Sequence, residues 1–331
     1  MVSYKDIQLT TGLSLATISK YFNGGNVRPA NREAIDAAVA IHGYRPNAIA
    51  RGLRSGKSRT VGVLLPALDN DFHLTIIASV EQRLREVNIG VVVATSPSAD
   101  AATVDLLLGR RVDGIVAVPS PHDVDALSRA AGEIPVVALD WRAPGLDVDG
   151  VFLDNRAAGQ LAARHLRSHG HTAALVLSPE PPLSSVAARV DGFLAELGPG
   201  GVSLAAPLSV DGARDAVASV LASVLGPTDA PTAFFAPNYE LTLGALIAIN
   251  ESGRILGRDV SLIGFDGTDL ARASRPRLTI IEQPMREIAE EAARTVLDLL
   301  QGERAPARER LLAPRLNAGA SVARVTDTVT D

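Results

Sequence analysis

The sequence predicts an α/β protein: an N-terminal helix-turn-helix head followed by two doubly wound parallel-sheet lobes. Three observations carry this. The first 46 residues fit three short helices, with a tight turn at Gly12 between the first two. From residue 60 to residue 322, short and wholly apolar strands alternate with amphipathic helices. The charge is split: residues 1–60 hold nine Lys or Arg against three acids (+6), and the other 271 residues hold 23 against 34 (−11). A basic head on an acidic body implies that the head meets a polyanion and the body does not.

In the head, Ser3 and Asp6 form a capping pair for a helix over Tyr4–Thr11, with Ile7 inward. Ser14 is the N-cap of a second helix over Leu15–Phe22, with Ile18 and Phe22 on its buried face, stopped by Asn23-Gly24-Gly25. The third helix starts near Pro29, runs through Ala34, Ile35, Ala38 and Ile41, and ends at Gly43. In helix-turn-helix proteins the second helix enters the major groove with its N-terminal residues facing base edges. Ser14, Thr17, Ser19 and Asn23 suit phosphate contacts or capping. Leu15 and Ala16 offer only apolar contacts, for example to a thymine methyl.

Residues 47–59 are a hinge and linker. Asn47 caps a stretch, Asn47–Leu53, that makes two helical turns at most. So short a helix is marginal alone, and Gly52 weakens it by roughly 1 kcal/mol. It is a conditional helix that orders on docking, or a plain linker.

The body begins with the strand Val61–Leu65 and a helix over 72–88. Strands follow at Gly90–Ala94, Gly114–Val118 and Pro135–Asp140. The alternation restarts with helix Arg156–Ser168, strand Ala173–Leu177 and helix Val186–Leu197. Strand Ala233–Ala236, helix Leu241–Glu251, strand Val260–Phe265, strand Thr279–Ile281 and helix Arg286–Leu300 complete it. So many units make two lobes: about 60–154 with 284–311, and about 155–283 with 312–322, leaving 323–331 as a disordered tail. Ligands of such sheets bind beyond the carboxyl ends of the strands. Polar residues gather there: Phe72 and His73 after the first strand, Asp140 and Trp141, Asp154 and Asn155, Ser185 and Arg189, Asn238, and Asp266. Carboxylates, an amide and a guanidinium around aromatic rings suit a polyhydroxylated ligand.

The head carries Tyr4-Lys5-Asp6-Ile7, Gly12-Leu13-Ser14, Ala16-Thr17-Ile18-Ser19-Lys20, Asn23-Gly24 and Gly43-Tyr44-Arg45-Pro46-Asn47-Ala48. The body carries Arg110-Arg111-Val112-Asp113-Gly114-Ile115, Pro135-Val136-Val137, Asp154-Asn155, Gly170-His171 and Gly264-Phe265-Asp266. In these motifs the chain resembles the LacI/GalR family of bacterial transcription regulators. The resemblance implies that Leu15, Ala16 and Lys20 read or position DNA. It also implies that the hinge folds when two copies meet over the operator, with Leu53 as minor-groove wedge and Ala50 and Arg51 on the same face. The body is then similar to periplasmic sugar-binding proteins. By position, effector contacts fall on Phe72, His73, Asp140, Ser185, Arg189, Asn238 and Asp266, and Trp141 either stacks on a sugar or packs the rim. The implied partners are a palindromic operator in double-stranded DNA, a small effector of the sugar class and a second copy of the chain. There are four departures. Val27-Arg28-Pro29 stands where a serine cap is usual, and Lys20 where arginine is common. Tyr239 and Gly267 each stand where the family has an aspartate.

Other chemistries fit less well. The chain has no cysteine, and neither a GxGxxG after a strand nor a Walker loop. His165, His169 and His171 lack a carboxylate that would complete a metal site. Nothing supplies a nucleophile, so no enzyme, cofactor or metal is expected. The N-terminus has no apolar signal segment, and no apolar run reaches the roughly 18 residues of a membrane span, so a cytoplasmic, nucleoid-bound regulator is expected. The alternative is a cytoplasmic or exported sugar-binding protein with no role on DNA. Gly52→Ala, by lowering the ordering cost of the hinge, is expected to tighten operator binding in a mobility-shift titration. Unchanged or weaker affinity would refute a loosening role for Gly52.

Overall fold

The computed structural model describes residues 2–22, 25–44, 56–68, 71–96, 102–180, 184–223, 233–302 and 308–325. It divides into two units, Met1–Arg59 and Thr60–Asp331. Asn23, the hinge stretch with Asn47, Ala50, Arg51 and Leu53, and residues 326–331 lie outside the described residues.

The head holds α1 (Tyr4–Thr11), α2 (Leu15–Phe22) and α3 (Pro29–His42). The Asp6 carboxylate accepts from the Ser3 amide at 2.7 Å and its hydroxyl at 2.8 Å, which closes the first turn. Gly12 and Gly43 end α1 and α3 in the left-handed region, at φ 66° and 60°. Ile7, Ile18, Ile35 and Ala38 are fully buried, with Phe22 and Val39 packed against them. The Tyr4, Phe22 and Tyr44 rings meet at 5.2–5.7 Å. Ile41 is 72% exposed. It lies six residues beyond Ile35, a third of a turn round from it, at the edge of the stripe that buries Ile35 and Ala38 and in the last turn of the helix. Arg28 caps α3 without a side-chain bond; Pro29, whose missing N–H would be unsatisfied in any case, starts the helix.

The second unit contains two six-stranded sheets. Its first sheet takes β1 (Thr60–Leu65), β2 (Gly90–Thr95), β3 (Gly114–Ala117), β4 (Val136–Leu139), β5 (Asp149–Leu153) and β11 (Glu309–Leu312), in the order β11-β5-β4-β3-β1-β2. All of its pairings are parallel. The second sheet takes β6 (Ala174–Pro179), β7 (Gly201–Ala206), β8 (Ala233–Phe235), β9 (Ser261–Phe265), β10 (Thr279–Glu282) and β12 (Arg315–Asn317), in the order β12-β10-β9-β8-β6-β7, and only β12 is antiparallel. The same order is thus used twice, and the chain passes between the sheets three times: after β5, after β10 and after β11.

Helices cover both faces of each sheet. On the first sheet, α4 (Asp71–Glu86) and α12 (Met285–Leu300) bury Ile76, Val80, Ile288 and Val296 on one side. The other side is covered by α5 (Ala102–Gly109) and α6 (Val124–Ala131), which bury Leu107 and Leu127. On the second sheet, α7 (Asn155–Ser168) and α8 (Ser184–Leu197) cover one side; α9 (Val210–Ser223) and α10 (Tyr239–Glu251) cover the other. Full coverage explains the wholly apolar runs of the central strands.

Sequence patterning misses α6, β7, α9, the short α11 (Thr268–Ala273), β11 and β12. β7 is an edge strand and β11 and β12 are short, so none is a continuous apolar run. Residues 323–325, expected in the tail, are held on the second lobe. The Ala323 amide donates to Ser261 Oγ at 2.9 Å, and the Val325 amide to the His169 carbonyl at 2.8 Å.

α7 and α8 approach backbone to backbone. A Cβ on Gly159 would lie 1.8 Å from the Arg189 carbonyl oxygen, and one on Gly192 2.1 Å from that of Arg156. Gly159→Ala therefore forces the helices apart. It is expected to destabilise the fold by about 1–3 kcal/mol, read as a lowered urea midpoint at unchanged m-value. A midpoint equal to wild type would contradict this packing.

Candidate functional site

In the head, α2 presents Ser14, Leu15, Ala16 and Lys20 to solvent, with Thr17 and Ser19 half-buried. Ser14 Oγ accepts from the Thr17 amide at 3.2 Å and lies 2.9 Å from Thr17 Oγ1, so these two hydroxyls cap the helix. Leu15 is 39% exposed, a large apolar side chain held out at the first turn. Lys20 lies along Gly25, whose amide bonds the Lys20 carbonyl at 2.8 Å. Tyr21 Oη donates to Asp36 and its ring lies 5.4 Å beneath the Arg32 guanidinium, tying α2 to α3.

In the second unit, the doubled strand order has its switch points at β1/β3 and β6/β8, where crevices form at the carboxyl ends. Phe72 and His73 follow β1, Ser185 and Arg189 follow β6, and Asn238 follows β8. Asp140 and Asp266 occupy equivalent places, each directly after the fourth strand of its sheet, and both have left-handed backbone, φ 61° and 55°. Aspartate is among the few non-glycine residues that tolerate this conformation.

Arg189 is the centre. It is 4% exposed. Its Nε donates to Asn155 Oδ1 at 2.8 Å and its Nη1 to the Pro237 carbonyl at 2.8 Å, and its Cζ sits 3.7 Å over the Phe265 ring. Burial disfavours its charge, and the carboxylates of Asp140 and Asp266 offset that. Burial likewise raises the Asp140 pKa, against the attraction of Arg189 and His73. Asp266 is pushed up to about 6, chiefly by burial, although it accepts from the Gln283 amide at 3.0 Å and from Gln283 Nε2 at 2.7 Å. Asp140 and His73 come from the first sheet's side, and Arg189 and Asp266 from the second's, so one electrostatic cluster joins the lobes.

Adjoining it is a cavity of about 240 Å³ lined by Asp140, Trp141, Arg142, Asn155, Arg156 and Ser185, among others. Ser185 is buried and Trp141 half-buried. His73, also buried, has its ring 5.7 Å from that of Phe72, which packs partly on the first lobe's core. Phe72, His73, Arg189, Asn238 and Asp266 do not line this cavity. Asn238 caps α10: its Oδ1 accepts from the Leu241 amide at 2.8 Å and its Nδ2 donates to Glu240 at 2.6 Å, leaving one amide hydrogen uncommitted by these bonds. A larger groove of about 810 Å³ along α4 and α12 is lined by arginines and glutamates, several of which pair with one another, as in Arg83–Glu86 and Arg310–Glu291. It holds no comparable buried charge.

Sequence reasoning missed Gln283. It sits in the crossover after β10, clamps Asp266 with two bonds, and keeps Oε1 buried with no hydrogen-bond partner among the described residues. A polar residue between an apolar strand and Pro284 was the available signal. Of the three histidines weighed for metal, the His165 and His169 rings stand 4.4 Å apart, and His171 Nε2 bonds the Ala323 carbonyl at 3.0 Å. Among the described residues no group of three or more His, Cys, Asp or Glu is placed to hold a metal ion, and no helix is long and apolar enough to cross a membrane.

A periplasmic binding protein-like domain matches residues 163–322. The HTH-type transcriptional regulator PtxS of Pseudomonas plecoglossicida is 30% identical over 321 residues, 93% of this chain and 92% of that one. The chain belongs to the LacI/GalR family of transcriptional regulators. The lac repressor dimer, solved on its operator with the anti-inducer ONPF, superposes with a TM-score of 0.85 at 25% identity, over 97% of this chain and 99% of that one. A LacI-family regulator from Enterococcus faecium with bound ribose gives 0.71 at 29% identity, over 81% and 100%. The chain is thus a regulator of transcription and not an enzyme.

The Asp266 pKa fixes a pH dependence. A carboxyl whose folded pKa is raised binds more protons in the native state between the ordinary aspartate value and about 6, so stability falls as pH rises through that window. Relative to Asp266→Asn, the wild type is expected to lose on the order of 2–3 kcal/mol between pH 4 and pH 7 in urea titrations. Parallel curves for the two proteins would refute the shift.

Proposed function

We propose that this LacI/GalR regulator is a repressor whose dimer binds a palindromic operator through α2 and the hinge, and that a neutral sugar or sugar derivative in the cleft controls it. The observation that carries the effector assignment is the buried cluster of Arg189 between Asp140 and Asp266. One guanidinium with two carboxylates offers both donors and acceptors to adjacent hydroxyls. It carries excess negative charge when both acids are ionised, which disfavours a sugar phosphate or sugar acid. The ribose seen in the Enterococcus faecium relative and the operator seen with the lac repressor support the same assignment.

Roles follow from position. Arg189 and Asp266 hold hydroxyls from the second lobe, Asp140 and His73 from the first. Trp141 and Ser185 wall the adjoining cavity, and Phe72 and Asn238 are the further contacts at the strand ends. In the head, Leu15, Ala16 and Lys20 face bases, with Ser14, Thr17, Ser19 and Asn23 toward phosphates. At the operator centre, Leu53 is the minor-groove wedge with Ala50 and Arg51 on the same face, and Asn47 caps the hinge helix against the DNA. The domain boundaries are those of the sequence: head 1–46, hinge 47–59, two-lobed sensor 60–322. Because the effector binds between lobes, it acts only through a difference in affinity for their two arrangements, and operator and effector must affect each other by the same factor.

Footprinting the full chain on DNA upstream of its own gene, near physiological salt, with and without a panel of neutral sugars, tests the reading. A protected palindrome whose affinity changes at least fivefold with one sugar is the expected outcome. Arg189→Ala should keep the footprint and lose the response. A fully responsive Arg189→Ala would remove Arg189 from the site. Absence of DNA binding under all conditions, with sugar binding intact, would favour a sugar-binding protein instead.

A further inference from the structure

Two of the chain's departures from the family pattern touch one another. Tyr239 follows Asn238 beyond the carboxyl end of β8, and Gly267 follows Asp266 beyond that of β9; the two strands are paired neighbours. A Cβ at position 267 would lie 2.8 Å from Tyr239 Cδ2 and 2.9 Å from Cε2. Real Cβ atoms do not come so close, so the tyrosine ring occupies the volume that an aspartate at 267 would need. Gly267 also has φ 69°, where a side chain adds strain. With the ring where it stands, Tyr239 and a side chain at 267 compete for the same volume.

The two replacements alter the chemistry of the second lobe's rim. Two carboxylates are absent and one aromatic ring stands in their place, adjacent in sequence to one proposed effector contact, Asn238, and packed on the residue that follows another, Asp266. The site also has a gradient of depth. Arg189 is 4% exposed, whereas Tyr239 is 38% exposed with part of its ring seated on Gly267. A ring fixed on one side and open on the other is a platform for the C–H face of a sugar or for an aromatic group. A single sugar satisfied by the buried charges has no need of it. A ligand that uses both must extend outward.

We infer that Tyr239 is a specificity-determining residue that stacks on a second, neutral ring of the effector, which is accordingly a disaccharide or a glycoside with an apolar aglycone. This deepens the sugar reading above and rests on it.

Isothermal titration calorimetry on the full chain tests it. The probes are glucose, galactose and ribose, disaccharides of the two hexoses, and the phenyl glycosides of all three. For the sugar that binds, the disaccharide or phenyl glycoside is expected to bind about tenfold or more tightly than the free monosaccharide. Tyr239→Ala should abolish that advantage while leaving the monosaccharide Kd within about threefold, and Tyr239→Phe should keep it. Circular dichroism melts matching wild type would show that Tyr239→Ala is folded; the surviving monosaccharide affinity is the second check. Equal affinity of monosaccharide and glycoside in the wild type would overturn the role of Tyr239, as would equal weakening of both by Tyr239→Ala. Both results leave the sugar reading standing, provided Arg189→Ala abolishes monosaccharide binding. If no sugar of the panel binds a chain that still protects its operator, the sugar reading falls and the inference falls with it.

Discussion

Arg189 is the constraint on which the second unit depends. A guanidinium cannot shed its proton to escape burial, so its charge must be matched where it lies. The match is divided. Its hydrogen bonds to Asn155 and Pro237 and its contact with the Phe265 ring all come from the second lobe. One of its balancing carboxylates, Asp140, comes from the first. The electrostatic energy of the cluster therefore depends on how the lobes stand to each other. Parting them would leave Asp140 and Arg189 to find water separately, and bringing hydroxyls between them would substitute for that water. The close packing of α7 on α8 through Gly159 and Gly192 makes this arrangement rigid on one side. It holds the Arg189 backbone against a helix whose first residue, Asn155, is its own hydrogen-bond partner.

The duplicated strand order places the two aspartates at equivalent points of the two sheets, both in left-handed backbone. Their surroundings then differ. Asp140 leads into Trp141 and the 240 Å³ cavity. Asp266 is clamped by Gln283, and Gln283 lies in a segment by which the chain returns to the first lobe. A change in what Asp266 binds is thus felt within one residue of a lobe crossover. This is a contact in which the proposed effector and the relative position of the lobes share a single side chain, and it is the kind of element through which a binding free energy biases two arrangements.

The layers of this fold were readable from the sequence, because parallel strands buried on both faces leave unmistakable apolar runs such as Val61–Leu65 and Ser261–Phe265. Strands at the sheet edges were not. β7, β11 and β12 are half exposed, and the chain there carries polar residues between apolar ones. The strand-end rule located Asp140, Arg189 and Asp266, which the structure brings together. It did not locate Gln283, because a crossover residue is defined by the tertiary path and not by any local period. Nor could it show that Asn238 is committed to capping α10, or that Tyr239 and Gly267, 28 positions apart, lie against one another. Ile41 shows the converse limit: apolar character assigned it to α3's series, and its place at the stripe's edge in the last turn leaves it in water.

In the proposed reading the head adds a further requirement. Among the described residues its fully buried core is Ile7, Ile18, Ile35 and Ala38, helped by the Tyr4, Phe22 and Tyr44 rings in mutual contact, which is small for an independent domain. Its base-facing side chains include only one cation, Lys20, beside the apolar Leu15 and Ala16. Few base contacts mean modest discrimination by each head, and the basic balance of residues 1–60 supplies mainly salt-dependent affinity for any duplex. Specific binding then has to come from two heads engaging one palindrome, where the second contact is made at high effective concentration only if the spacing is right. Control by a cleft ligand is well suited to this arrangement. The ligand need not weaken any DNA contact; it need only shift the spacing enough that two weak readers no longer bind together.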